Sequence, residues 1–202
     1  MKTDVITVSS RGSQMETALA QVEKVAAYKG LSQKNTLHLR LLTEEMMGMM
    51  RSITGETKGW FWIEDEDNIF QLHLQVETRM TSAKRDELLA ASTTGKNESA
   101  RGLMGWLRDF FDRSADEDVA AVSSPLMMPD MYEHYSGTPS LDWEWSMSRY
   151  QEELAPRVQN QDKNALEAWD QMEKSVVSHV ADEVKVAIRG QMTEMVIYKK
   201  IA

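Results

Sequence analysis

The segment from Glu183 to Ile201, EVKVAIRGQMTEMVIYKKI, constrains the fold most, because apolar and polar residues alternate on both sides of a turn at Arg189-Gly190. Alternation with a period of two is typical of strands with one buried face, and two such strands around a glycine turn predict a hairpin. The segment GWFWIEDEDNIFQLHLQVE shows a similar pattern around an acidic turn. The sequence therefore predicts one hairpin at 183–201 and a second one beginning at Gly59.

Helical spacing follows a short strand near the start of the chain. Val5, Ile6 and Val8 predict that strand, and Ser13 then opens a helix that Gly30 ends. The apolar residues of this helix repeat every three or four positions, as expected for a helix with one buried side: Met15, Ala18, Leu19, Val22, Val25 and Ala26.

A second helix opens at Ser32, contains the stretch LRLLTEEMMGMMRSI and stops at Gly55. Its apolar stripe consists of Leu39, Leu42, Met46, Met49, Met50 and Ile53. Glu45 falls inside this stripe, and a carboxylate facing a core is costly unless it is paired or near water. The position therefore favours a cleft lining, where a burial-raised pKa suits a general base. The alternative is that Glu44 and Glu45 flank the stripe and are solvated.

The second half of the chain predicts further helices. The stretch RGLMGWLRDFFD has helical spacing, and residues 125–180 then hold two amphipathic stretches that we interpret as inserted helices. The first begins near Ser140 and includes Leu141, Trp145 and Leu154. The second includes Leu166, Trp169, Met172, Val176, Val177 and Val180.

Hairpins at both ends and helices between them predict an α+β fold. We expect a two-layer sandwich, in which helices cover one face of a mixed, mainly antiparallel sheet. The whole chain, 1–202, is predicted to be one domain, with a helical insertion at about 125–180 before the C-terminal hairpin at 183–201.

Composition narrows the classes of partner. The formal net charge is -9 and the sequence pI is near 5.0, so nucleic acid and anionic membrane surfaces are disfavoured. The chain has no cysteine, which excludes disulfides and thiolate chemistry. No apolar stretch approaches the roughly 20 residues that a transmembrane helix needs. We therefore expect a cytoplasmic protein.

A glycine-bearing loop leads into a predicted helix at GKNESARGLMGW. Gly102 and Gly105 would let backbone N–H groups approach an anion at the helix start, with Lys96 and Arg101 nearby. The alternative is an ordinary loop entering a helix. The stretch is not a P-loop, because Asn97 follows the lysine where Ser or Thr is required.

The histidines predict no metal site. His38, His73, His134 and His179 are scattered, without the i, i+3 or i+4 pairing that a zinc site uses. His73 lies on the polar face of its strand, and we expect it to be exposed.

The order of elements, together with LRLLTEEMMGMMRSI, LHLQVETR and ARGLMGWLRDFFD, resembles the histidine-kinase-like ATPase (GHKL or Bergerat) fold. The anti-sigma-factor serine kinases are the most similar subgroup. The resemblance implies ATP and Mg²⁺ as cofactors. It also implies a catalytic Glu and a Mg²⁺-binding Asn on one helix, an adenine-reading Asp after a strand, and a Gly-x-Gly-Leu phosphate loop.

The motif residues match this family in part. Glu45 matches the catalytic Glu, but Met49 stands at the Asn position and has no hard oxygen for Mg²⁺. Glu77 lies near the position at which the family has its adenine-reading Asp. In the phosphate loop, Gly102 and Leu103 match, while Ala100 replaces the first glycine.

Two functions follow from the resemblance and its departures. The first is a regulatory, protein-interaction module with nucleotide binding weakened or lost, and therefore no enzyme. The second is an active ATP-dependent serine kinase or ATPase, in which Glu45 is the base and Lys96 or Arg101 neutralises phosphate charge. The resemblance also implies a regulatory protein partner and pairing into a homodimer.

Overall fold

The computed structural model describes residues 1–9, 13–54, 58–77, 143–189 and 192–201. In chain order its elements are β1 (Ile6–Ser9), α1 (Ser13–Tyr28), α2 (Gln33–Thr54), β2 (Lys58–Glu66), β3 (Ile69–Glu77), β4 (Trp143–Ser146), α3 (Met147–Gln159), α4 (Lys163–Glu173), α5 (Val176–Val180), β5 (Glu183–Arg189) and β6 (Met192–Lys200). The predicted helix at RGLMGWLRDFFD lies outside the described residues. Within the described ranges, none of the helices is long and apolar enough to cross a membrane.

The strands of the described residues form one sheet of six, in the order β1-β2-β3-β6-β5-β4. Every neighbouring pair is antiparallel, so the predicted sheet, mixed and mainly antiparallel, is antiparallel in all the described pairs. Both predicted hairpins are confirmed as β2–β3 and β5–β6, and they join each other through β3 and β6, with Leu72 opposite Ile197. The α+β class is therefore confirmed.

Asp67 and Asn68 form the turn between β2 and β3. Their φ angles are 50° and 64°, which are left-handed values. Two successive positive φ angles are typical of the tight turns that match the twist of a hairpin, and Asp and Asn tolerate them better than most residues. Gly30, two residues after the end of α1, also has a left-handed φ angle, 64°.

One core joins the helices to the sheet. On the sheet, alternate residues face this core, and Phe61 and Leu74 are paired and buried. On α2 the core side chains are at most 1% exposed: Leu39, Leu42, Met46, Met47, Met49 and Met50. The predicted apolar stripe of α2 therefore faces the interior from Leu39 to Met50. On α1 the buried residues of the predicted stripe are Ala18, Leu19, Val22, Val25 and Ala26.

The prediction of a helix from Ser140 is wrong for residues 143–146, which form the edge strand β4. Trp145 pairs with Val186 of β5 and is 3% exposed, so it is buried as a strand residue in the sheet. The helix begins only at Met147, where Ser146 caps it by accepting from the Arg149 N–H at 3.4 Å. Backbone pairing with β5, which lies far along the chain, decides this segment, and no local pattern reveals it.

The second amphipathic stretch is two helices. Helix α4 ends at Glu173, and α5 begins at Val176, after the buried Ser175. The Ser178 hydroxyl lies 2.8 Å from the Ser175 carbonyl oxygen. Side chains from residues 147–180 belong to the same core as the sheet: Met147, Tyr150, Leu154, Ala165, Met172 and Val177. The part of the predicted insertion that the structure describes is thus packed into the core and supplies one strand.

Candidate functional site

The helix α2 places Glu45 at the edge of the core. Ser32 caps this helix by accepting from the Asn35 N–H at 3.2 Å, and α2 packs against β3 and β6. Glu45 is half-buried, between the two predicted alternatives of a core position and a solvated one. Burial raises the pKa of the Glu45 carboxyl, and the neighbouring charge of Glu44 adds to this effect.

Arg40 organises the charges next to Glu45. Its guanidinium lies 3.7 Å from Glu44 Oε1 and also pairs with Glu23 of α1. The positive charge of Arg40 therefore balances part of the negative charge of Glu44 and Glu23. Of the two adjacent carboxyls, Glu44 thus pairs with Arg40, whereas Glu45 has the raised pKa.

Met49 lies one helical turn after Glu45 and is 1% exposed. Its side chain belongs to the core cluster. A thioether is a soft, apolar group, whereas Mg²⁺ requires hard oxygen ligands in octahedral geometry. This position therefore does not fit Mg²⁺. Within the described ranges, no group of three or more His, Cys, Asp or Glu side chains is placed to hold a metal ion.

The other predicted site residues are only partly described. Glu77 ends β3 opposite Met192 and is exposed. Lys96, Arg101, Gly102 and Leu103 lie outside the described residues, so the predicted phosphate loop stays a prediction. The structure thus brings Glu45 and Met49 together on one helix, and the remaining predicted contacts stay expectations.

On the other face of the sheet, His73 is 9% exposed, and the expectation that it is exposed is wrong. Its ring stacks on Trp62 of the neighbouring strand, with 4.7 Å between ring centroids and 10° between planes. The two residues are directly opposite in the β2–β3 register. Stacking by a large aromatic neighbour therefore covers a histidine that alternation places on the side away from the helices.

Two carboxylates flank the buried imidazole. Nδ1 of His73 lies 3.3 Å from Glu194 Oε1 on β6, and Nε2 lies 4.0 Å from Glu64 Oε1 on β2. Glu64 also accepts from the Trp62 indole N–H at 2.9 Å and pairs with Lys2 at 2.9 Å. The hydrogen bond from Lys2, with that from Trp62, lowers the pKa of the Glu64 carboxyl.

We call Trp62, Glu64, His73 and Glu194 the His73 cluster. The sequence predicts only part of it. Alternation in β2 and β3 predicts that Trp62, Glu64 and His73 share one face. Glu194 was missed because its approach depends on β3 pairing with β6, more than 100 residues later in the chain.

In comparisons with known proteins, no family model, no curated protein and no solved structure matches this chain.

Proposed function

We propose that this chain is a regulatory, protein-interaction module on a histidine-kinase-like ATPase fold, in which nucleotide use is weakened or lost. The α+β architecture, with α2 packed on an antiparallel sheet, supports the fold assignment. The burial of Met49 is the observation that carries the functional proposal.

Met49 supports this function for a physical reason. In the fold that the sequence resembles, this position supplies an oxygen ligand to Mg²⁺. A buried methionine stabilises the core by excluding water, and it offers no charge or lone pair suited to a hard cation. The helix has thereby exchanged metal binding for packing.

The partner that we propose is a regulatory protein. The alternative partner is a second copy of this chain, which would form a homodimer. The net charge of -9 argues against nucleic acid. A module that acts through contacts needs no turnover, so we expect neither ATP hydrolysis nor phosphotransfer from the purified chain.

A nucleotide titration tests the proposal. The unfolding temperature of the full chain is measured with ATP, ADP or AMP, each with and without Mg²⁺. A ligand held at 100 times its Kd stabilises a fold by about 2.7 kcal/mol, so binding would be plain. We expect a flat response. Magnesium-dependent turnover that Glu45→Ala abolishes and Glu44→Ala retains would overturn the proposal.

One observation favours the second candidate, an active kinase or ATPase. Half-burial raises the pKa of Glu45, and a carboxyl with a raised pKa suits a general base. In that case Gly102 and the charges of Lys96 and Arg101 would hold the phosphates, and an oxygen ligand other than position 49 would bind Mg²⁺. The same titration separates the two functions.

A further inference from the structure

His73 occupies the centre of the sheet, because β3 lies between β2 and β6. Each of its ring nitrogens faces a carboxylate from a different neighbouring strand, Glu194 at Nδ1 and Glu64 at Nε2. A neutral imidazole carries one N–H, whereas an imidazolium carries two. The number of bonds that this ring makes to its neighbours therefore depends on its protonation.

Geometry fixes the neutral tautomer. An ionised carboxylate only accepts hydrogen bonds, so the close contact at 3.3 Å requires the proton on Nδ1, which then donates to Glu194. Nε2 is left with a bare lone pair, is buried, and has no hydrogen-bond partner among the described residues. Nε2 lies 4.0 Å from Glu64 Oε1, and a second proton on Nε2 would turn this contact from repulsive to attractive.

We propose that His73 is a proton-operated link across the centre of the sheet. The doubly protonated ring bonds Glu194 of β6 and Glu64 of β2 at once, and the singly protonated ring bonds Glu194 alone. Proton uptake from solvent thus ties three adjacent strands through one side chain. It also places a positive charge against the Trp62 ring, whose centroid lies 4.7 Å from that of the imidazole.

Charged groups of the two neighbouring strands face the ring. From β2 it meets Glu64, and from β6 it meets Glu194. The Lys2 ammonium is 2.9 Å from Glu64 and 5.3 Å from the centroid of the Trp62 ring, so its charge is partly balanced. Lys185 of β5 is directed at the Tyr198 ring, 5.6 Å from its centroid. The two carboxylates therefore lie within 4.0 Å of the imidazole nitrogens, and both of these lysines are engaged by other groups.

Imidazole nitrogen NMR on the full chain tests the link between pH 5 and pH 8.5. The His73 signals are assigned by their loss in His73→Gln. At high pH we expect the Nδ1–H tautomer, and at lower pH a single transition to the doubly protonated ring. An Nε2–H tautomer at high pH, or a ring that does not titrate in this range, would overturn the proposal. This measurement needs no altered chain beyond the assignment.

Glutamine variants test the role of each carboxylate, since glutamine keeps the shape and removes the charge. We expect Glu194→Gln and Glu64→Gln each to move the His73 transition to lower pH, by about half to one unit. Glu66→Gln is the matched control, because Glu66 is exposed two positions after Glu64 on the same face, and we expect a shift below about 0.2 unit. A transition that both cluster variants leave unmoved would refute the link.

Discussion

Lys29, one residue past the end of α1, forms an ion pair with Asp65 on the core-facing side of β2. The Asp65 side chain is 5% exposed and that of Lys29 is 31% exposed. Oδ1 of Asp65 has no hydrogen-bond partner among the described residues. The pair therefore links the end of α1 to the sheet. Among the described residues, Lys29 is the counterion of the buried Asp65 carboxylate.

We expect Lys29→Ala to destabilise the fold because it leaves a buried carboxylate without its counterion. Removing one partner of a fully buried pair costs about 3–5 kcal/mol, and partial exposure of Lys29 reduces the expected cost to about 2 kcal/mol. Urea denaturation measures it. The matched control is Lys24→Ala, an exposed residue of α1, expected within about 0.5 kcal/mol of the parent. Equal effects of the two substitutions would contradict the assigned role of the pair.

Two substitutions at Met49 separate packing from polarity. Met49→Leu keeps the buried apolar volume and should cost less than about 1.5 kcal/mol. Met49→Asn places an amide in the core and should cost about 3 kcal/mol. Urea denaturation compares them. If Met49→Asn were as stable as Met49→Leu, position 49 would have to be open to water, contrary to its burial.

The raised pKa of Glu45 predicts a pH-dependent gain from Glu45→Gln. A carboxyl whose folded pKa is raised stabilises the fold below its unfolded value, about 4.3, and this stabilisation is lost as the pH rises through the folded value. Glutamine is neutral at every pH. We therefore expect Glu45→Gln to raise the unfolding temperature at pH 7 and to have little effect near pH 4.

Glu44→Gln serves as the control for that experiment. Glu44 pairs with Arg40, so its neutralisation removes an attractive contact as well as the repulsion on Glu45. We expect a smaller gain or a loss at pH 7. A Glu45→Gln variant that is less stable than the parent at pH 7 would show that the carboxylate has a compensating partner.

Two glycines should respond oppositely to alanine. A Cβ at Gly59 would lie 2.7 Å from the Gln75 carbonyl oxygen and 3.2 Å from Val76 Cγ2, so Gly59→Ala should disturb the β2–β3 pairing. Overpacking of this kind costs about 1–3 kcal/mol. A Cβ at Gly48, on the exposed side of α2, meets nothing within 4 Å. Gly48→Ala should therefore stabilise the fold by up to about 1 kcal/mol. Thermal unfolding of both variants measures the contrast.

Local patterns predicted the elements that carry their own signals. Alternation in β3, β5 and β6 and the apolar stripes of α1 and α2 are confirmed, because each depends on residues a few positions apart. Trp145 was predicted to lie in a helix, because it follows Leu141 by four positions, which is a helical spacing. Only the pairing of β4 with β5 decides that Trp143–Ser146 is a strand.

The candidate site was predictable to the same extent. Glu45 and Met49 are one helical turn apart, so their common helix follows from spacing alone, while the degree of burial depends on the sheet that packs beneath them. The phosphate loop with Gly102 stays a prediction outside the described residues.

The periodicities, an acidic turn between β2 and β3 and the placement of His73 on the polar face of its strand follow from the sequence alone, because each depends on neighbouring residues. The pairing of β3 with β6 is visible only in the folded chain, and it brings Glu194 within 3.3 Å of His73. Strand order couples residues that are far apart along the chain, and its free energy lies in long-range pairing that no local pattern encodes.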